Sequence, residues 1–291
     1  MEVTYFLQSF ANEYLDFFFL NITKLSETML VIVLLGFIYW CTDKKFAYPF
    51  AASVTFSLAT NNMFKNIFKI ERPFNLNDPK LRVVEEAVPA ATGYSFPSGH
   101  TQLATVVYGT LGFHLKRIFK FLCFAAVILV GISRIYLGVH TVYDVVFALI
   151  IGSASSAFVM FTYNKFVSKS PWLILIYTLP AFLCVAFLDT SFLGDTFKTF
   201  GISFGAFLGM AINEKYIDFD SKGSVKKQVL KMVLGIAVAL IIQGGLKAVF
   251  SLIATTGAIS HILVCIRYFL IGFWIAAGFP FVIKKYLKNI D

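Results

Sequence analysis

Long apolar runs broken by short charged segments dominate this chain. Nine such runs fall at roughly 27–42, 46–66, 99–114, 119–137, 141–163, 172–189, 197–213, 229–254 and 261–283. Several approach the ~20 residues that a helix needs to cross ~30 Å of hydrocarbon. The pattern predicts an all-α, polytopic membrane protein of about nine transmembrane helices. Ahead of the first run, Phe6, Leu7, Phe10, Tyr14, Phe17 and Phe18 recur at helical spacing, with Gln8, Asn12, Glu13 and Asp16 between them. That predicts an amphipathic helix lying in the membrane interface over residues 1–26; a weakly hydrophobic extra span is the alternative. No basic region opens the chain, so no cleavable signal is expected. The expected organisation is this N-terminal segment, a membrane core at 27–190 and additional helices at 191–291.

Composition agrees. Of 291 residues, 58% are hydrophobic and only 14% charged, where a soluble domain carries about a quarter. The net charge of +9 raises the possibility of nucleic-acid binding, but the basic residues are scattered through short loops and form no continuous face. They fit the positive-inside rule instead. Lys44–Lys45, Lys116–Arg117–Lys120, Lys165–Lys169, Lys215 to Lys227 and Lys284–Lys285–Lys288 alternate so that all five groups share one side. This predicts an outward N-terminus and a cytoplasmic C-terminus in a cell membrane, plasma or inner. The four cysteines lie far apart in or beside apolar runs, which predicts buried free thiols.

Three polar blocks fall on the other, outer side. In the first, Lys65 and Arg72 lie seven residues apart, ahead of Pro73. On one helix they would share a face, and two cations there can clamp one phosphate. Read alone, the pair is also what flanks a membrane span. In the second, Pro97-Ser98-Gly99-His100 opens an apolar run. Ser98, Gly99 and the free first-turn amides form an anion nest, with His100 at its rim; an ordinary helix cap would look the same. In the third, Ser133-Arg134 precedes His140 and Asp144. Four apart on a helix, the carboxylate can orient the imidazole and leave its second nitrogen free to attack. Arg134 adds a phosphate donor. A stretch with mixed charge, Ile70 to Tyr94, would cap this cluster.

The pattern Lys-x6-Arg-Pro, Pro-Ser-Gly-His, Ser-Arg-x5-His-x3-Asp resembles the type 2 phosphatidic acid phosphatases, which share a site with vanadium haloperoxidases. All three blocks are intact, and the likeness covers roughly 46–163. It implies that His140 attacks phosphorus and becomes a phosphohistidine, with Asp144 orienting it. It implies that His100 protonates the leaving oxygen and then activates water, while Lys65, Arg72, Ser98, Gly99 and Arg134 hold the phosphoryl oxygens. No metal or other cofactor is implied. The expected substrate is a lipid phosphate or diphosphate: phosphatidate, phosphatidylglycerol phosphate, polyprenyl diphosphate or a sphingoid-base phosphate. The bilayer is the other expected partner, with no nucleic acid, and oligomeric state stays open. The alternatives are a lipid phosphotransferase, a haloperoxidase, and a non-catalytic transporter or scaffold. Beyond the likeness, Lys247 and Arg267 lie inside the last two runs and suggest a second polar crevice, with snorkelling to the surface as the plainer account. His114 and His261 lie away from the cluster and are expected to be non-catalytic. Asn21-Ile22-Thr23 matches a glycosylation acceptor, a pattern common by chance.

Overall fold

The computed structural model describes residues 1–187 and 193–287 and is all-helical there, with no strand among the described residues. The helices are α1 (Glu2–Gln8), α2 (Glu13–Thr23), α3 (Thr28–Phe37), α4 (Lys44–Phe68), α5 (Gly99–His114), α6 (Arg117–Tyr136), α7 (Val142–Lys165), α8 (Leu179–Phe187), α9 (Leu193–Ile212), α10 (Val225–Ile253), α11 (Gly257–Phe273) and α12 (Phe279–Tyr286). Among the described residues four stretches are long and apolar enough to cross a membrane: Arg117–Tyr136, Val142–Lys169, Val225–Ile253 and Gly257–Tyr286. Glu13–Ser26 and Thr28–Thr42 would make a fifth across a 48° bend. The run at 172–189 starts as a 3-10 turn, Pro171–Thr178, before α8, and its last two residues lie outside the described residues, as does Lys288.

The runs at 46–66 and 99–114 form helices α4 and α5, which are not among those spans: α5 has only 16 residues, and both helices carry polar side chains in their interior-facing positions. Near its C-terminal end α4 carries Thr60, Asn61 and Asn66, all buried, and α5 carries buried Thr101, Gln102, Thr105 and Thr110. Asn61 donates to the Pro97 carbonyl at 3.2 Å and to Gln102 Oε1 at 2.9 Å. Asn61 thereby ties α4 to the Pro97 turn and to α5, while Thr110 bonds Ser156 of α7 and Asn66 and Thr105 bond back to their own helices.

Two compact units emerge, Met1–Val31 with Thr60–Ala157, and Ile32–Ala59 with Phe158 onward. In the first, α5 packs on α6, and α1 and α2 also lie against α6. A core of Val84, Ala87, Ala91, Tyr136, Leu137 and Val139 receives Leu7, Leu15, Phe19 and Leu20 from α1 and α2. The expected single N-terminal helix is thus two, because Asn12 turns extended and caps Leu15. Leu7, grouped by spacing with the aromatic face, packs inward, whereas Phe6, Phe10, Tyr14, Phe17 and Phe18 are exposed. Two of the polar residues between them, Gln8 and Asp16, clamp the 70–94 loop through Arg82. Gln8 binds the Arg82 amide, the Arg82 carbonyl and the Tyr136 carbonyl, and Asp16 accepts from Arg82 and from the Tyr136 hydroxyl.

In the second unit α9 and α11 pack closely through Gly201 and Gly205, one helical turn apart, and Gly209, a turn further on, faces Ala276 and Ala277 just past the end of α11. A Cβ at Gly201 or Gly205 would collide with the carbonyls of Cys265 or Phe269. Small residues that let backbones meet are a common means of joining helices in lipid. Lys231 is fully buried, and its ammonium is caged by the carbonyls of Trp40, Asp220, Ser221 and Lys222 at 2.8–3.3 Å. The cysteines are free thiols.

Candidate active site

All three polar blocks converge within the first compact unit. His140 is 2% exposed and lies in the turn before α7, not on it, while Asp144 falls in the helix's first turn. The expected pairing on one helix face is therefore corrected. Thr141 N–H donates to Asp144 Oδ2 at 2.7 Å and the Thr141 hydroxyl accepts from the Asp144 amide at 3.3 Å, a reciprocal cap that ends the turn at α7. The carboxylate is thereby held beside the ring, with His140 Nδ1 3.4 Å from Asp144 Oδ2.

The spacing argument for Lys65 and Arg72 also needs correction. Helix α4 ends at Phe68, Lys69 adopts a positive φ of 48°, and Arg72 is extended at φ −76°, ψ 148°. Pro73 excludes the helical region for the residue before it. The two cations still meet, through the backbone of 92–94. Lys65 Nζ donates to the Tyr94 carbonyl. Arg72 donates to Gly93 O at 2.8 Å, Thr92 O at 2.6 Å and Val139 O at 3.1 Å. Its Nη1 also lies 3.1 Å from His140 Nε2. A guanidinium only donates, so Nε2 accepts and carries the lone pair. The proton of the neutral ring then sits on Nδ1, facing Asp144. Burial pulls the Arg72 guanidinium down to about 10, against the Asp144 charge, so it is still cationic at neutral pH. Burial also pulls the His140 imidazole well below its usual value. The Asp144 hydrogen bond opposes that shift, and the charges of Arg72 and Arg134 add to it.

Ser98 is the N-cap of α5: its hydroxyl accepts from Thr101 N–H at 3.4 Å and lies 3.0 Å from the Thr101 hydroxyl. Its amide donates to the Asp144 carbonyl at 3.1 Å. The hydroxyl expected in the anion nest thus caps the helix. Gly99 and His100, next in the first turn, have no intrahelical acceptor for their amides. A Cβ at Gly99 would meet only Asn61 Oδ1, at 3.5 Å, so that face is open. His100 lies within electrostatic reach of Arg134, His140, Arg72 and Lys65. Arg134 is fully buried, and Nη1 donates to the Thr23 hydroxyl at 2.9 Å while Nε and Nη2 have no partner.

One close partner carried no signal in the sequence. Ser95 is 0% exposed, donates to Asp144 Oδ2 at 2.6 Å and lies 3.4 Å from His140 Nδ1. It sits two residues before Pro97, where spacing gave no reason to single it out. Lys247 and Arg267 are not joined by any hydrogen bond or ion pair among the described residues. Lys247 is exposed, whereas Arg267 is buried with Nε unpartnered and its guanidinium 5.3 Å from the Tyr268 ring. His261 stacks on Phe197 in the second unit.

An imidazole lone pair against the Arg72 guanidinium, with Arg134 within electrostatic reach and a second imidazole, His100, close to both arginines and to Lys65, suits an oxyanion. Family comparison agrees with that geometry. Residues 46–168 match the PAP2 superfamily, and residues 197–288 match the PAP2 superfamily phosphatase, transmembrane extension. The chain belongs to the PAP2 superfamily. The second match falls on helices for which the motifs give no reading. Among curated relatives, an undecaprenyl-diphosphatase of Sulfolobus acidocaldarius is 28% identical over 38% of this chain and 52% of its own length. A phosphatidylglycerophosphatase B of Bacillus subtilis is 45% identical over 19% of this chain and 32% of its own length. A probable sphingosine-1-phosphate phosphatase of Dictyostelium discoideum is 26% identical over 51% of this chain and 39% of its own length. The chain thus spans about half or less of the length of these relatives.

Proposed function

We propose that this PAP2-superfamily chain is a membrane phosphatase that hydrolyses a lipid phosphate or diphosphate through a phosphohistidine, without a metal. The observation that carries the reading is the buried His140, whose Nε2 lone pair lies against Arg72 and whose Nδ1 faces Asp144 and Ser95. In the first step Nε2 attacks phosphorus, the N–P bond forms and the P–O bond to the lipid breaks. His100 donates its proton to the leaving oxygen. In the second step a water attacks phosphorus, His100 takes the water's proton, and the N–P bond breaks to release phosphate. Asp144 holds the ring and offsets the positive charge that it gains. Arg72, Arg134, Lys65 and the Gly99 and His100 amides bind the oxygens as charge develops. On substrate entry a phosphoryl oxygen replaces His140 as the acceptor for Arg72 Nη1. Ser98 acts by fixing the turn that presents those amides.

The names of the three relatives specify three different lipids, and they support the class without choosing a member of it. Nine spans with an outward N-terminus, an interfacial N-terminal segment, a site on the extracytoplasmic face and a cytoplasmic C-terminus remain part of the proposal. So does the division into 1–26, a catalytic core at 27–190 and further helices at 191–291. The support is the alternation of basic loops with apolar runs and the exposed aromatic face of α1 and α2. Lys247 and Arg267 remain proposed as secondary polar positions; substitution of each by Met with unaltered lipid-phosphate turnover would remove them.

The test is a panel of phosphatidate, phosphatidylglycerol phosphate, a polyprenyl diphosphate and a sphingoid-base phosphate in mixed micelles with chelator present. Wild type releases phosphate from at least one, and His140→Ala from none. A product phosphorylated on an added acceptor alcohol, with no free phosphate, would indicate the phosphotransferase. A folded wild type inert toward every substrate would favour the scaffold.

A further inference from the structure

The end of helix α2 reaches past the clamp on the loop to Arg134, one of the candidate site residues. Helix α2 ends at Thr23, which is 6% exposed and lies ahead of the residues matched to the PAP2 superfamily. Its hydroxyl accepts from Arg134 Nη1 at 2.9 Å. Arg134 is itself 0% exposed, and its Nε and Nη2 are buried without a partner. A buried donor left without an acceptor costs about 1–3 kcal/mol, and more for a charged group, so two on one guanidinium are out of place unless something fills them. Nε and Nη2 are adjacent. Together they form the side edge of the guanidinium, one of the two edges that grip two oxygens of a phosphate at once. Arg134 lies within electrostatic reach of Arg72, His100 and His140.

We propose that Thr23 is a positioning residue of the active site: by taking Nη1, it turns the Nε–Nη2 edge of Arg134 toward the phosphoryl oxygens. This deepens the phosphatase reading and rests on it for substrate turnover, though not for oxyanion binding. The hydroxyl supplies an acceptor where the buried segment offers no carboxylate, which would neutralise Arg134 and compete with the phosphate. Thr23 touches no substrate and acts through Arg134 alone. The N-terminal helices are therefore part of the site, in addition to any role at the lipid surface.

Thr23→Val keeps the shape and removes the acceptor, and Thr23→Ser restores it. We expect Thr23→Val to raise the inhibition constant of inorganic phosphate and of vanadate roughly tenfold, and KM with it, while Thr23→Ser stays near wild type. Because the effect runs through Arg134, Thr23→Val should add nothing in an Arg134→Met background. Thermal stabilisation by phosphate and vanadate is read on the same full-length variants. That readout tests oxyanion binding even if no lipid in the panel is turned over, so failure of the phosphatase reading and failure of this one stay separate. Should Thr23→Val not fold, Thr23→Ala is read in the same way. Unchanged oxyanion affinity in the folded variant, or an undiminished effect in the Arg134→Met background, would overturn the assignment.

Discussion

Replacing Ser95 by Ala tests whether the residue steadies the nucleophile or merely fills space. The hydroxyl is fully buried and donates at 2.6 Å to Asp144 Oδ2, an oxygen also bonded by Thr141 N–H at 2.7 Å. His140 Nδ1 sits 3.4 Å from the same oxygen. Removing one donor from a buried carboxylate costs about 2 kcal/mol, the middle of the range for hydrogen bonds to charged groups. Ser95 is on the far side of the imidazole from Nε2, so the loss falls on orientation of the ring and not on substrate binding. If the whole cost is felt at the transition state, kcat drops roughly thirtyfold. KM should stay within about twofold of wild type, because ground-state binding is untouched. The assay is steady-state phosphate release in mixed micelles, paired with a thermal melt. Lowered melting temperature with full kcat would make Ser95 a packing residue. A rise in KM with constant kcat would place it in substrate binding, and either result refutes the argument.

Other consequences are as direct. Because the folded protein holds His140 below the ordinary imidazole value, the unfolded chain binds more protons there just under pH 6.5. That contribution to stability is complete above pH 6.5 and is lost as pH falls, and chemical denaturation at a series of pH values would reveal it. For the same reason kcat/KM should show no acid limb at the usual histidine position. Arg72→Met removes a cation that disfavours imidazolium, so the acid limb should move to higher pH; an unmoved limb would deny the contact electrostatic weight. Lys231→Met strips the cation from four carbonyls and should cost about 3 kcal/mol or more, seen as a lowered melting temperature with unaltered KM. Gly205→Ala forces a Cβ onto the Phe269 carbonyl and should destabilise by about 1–3 kcal/mol, checked by the same melt.

Much of the site was legible because chemistry imposes residue types and order. Helix α5 runs over 99–114 as the sequence suggested, since Ser98 caps it and the apolar run begins at once. The three polar blocks meet, although two local geometries differ from what spacing implied. Helical spacing placed Lys65 and Arg72 on one face, but Pro73 unwinds the chain before Arg72, and loop carbonyls bring the cations together instead. Helical spacing also stacked His140 on Asp144, whereas the helix starts only after His140. Partners supplied by tertiary contact stayed invisible. Ser95 stood in no local pattern, Gln8 counted only toward the polar side of an amphipathic helix and Thr23 only toward a glycosylation match, and each acquires its role at the site only when a distant segment folds against it. The apolar count behaved the same way: α4 and α5 read as spans by eye, yet α5 has only 16 residues and both helices carry buried polar side chains.

The central claim is that phosphorus passes through the imidazole of His140. Rapid quench of the wild type with a lipid substrate carrying radiolabelled phosphorus should trap an acid-labile, alkali-stable label that maps to His140 and is missing from His140→Ala. Turnover by His140→Ala at the wild-type rate, or a trapped label on any other residue, would contradict it.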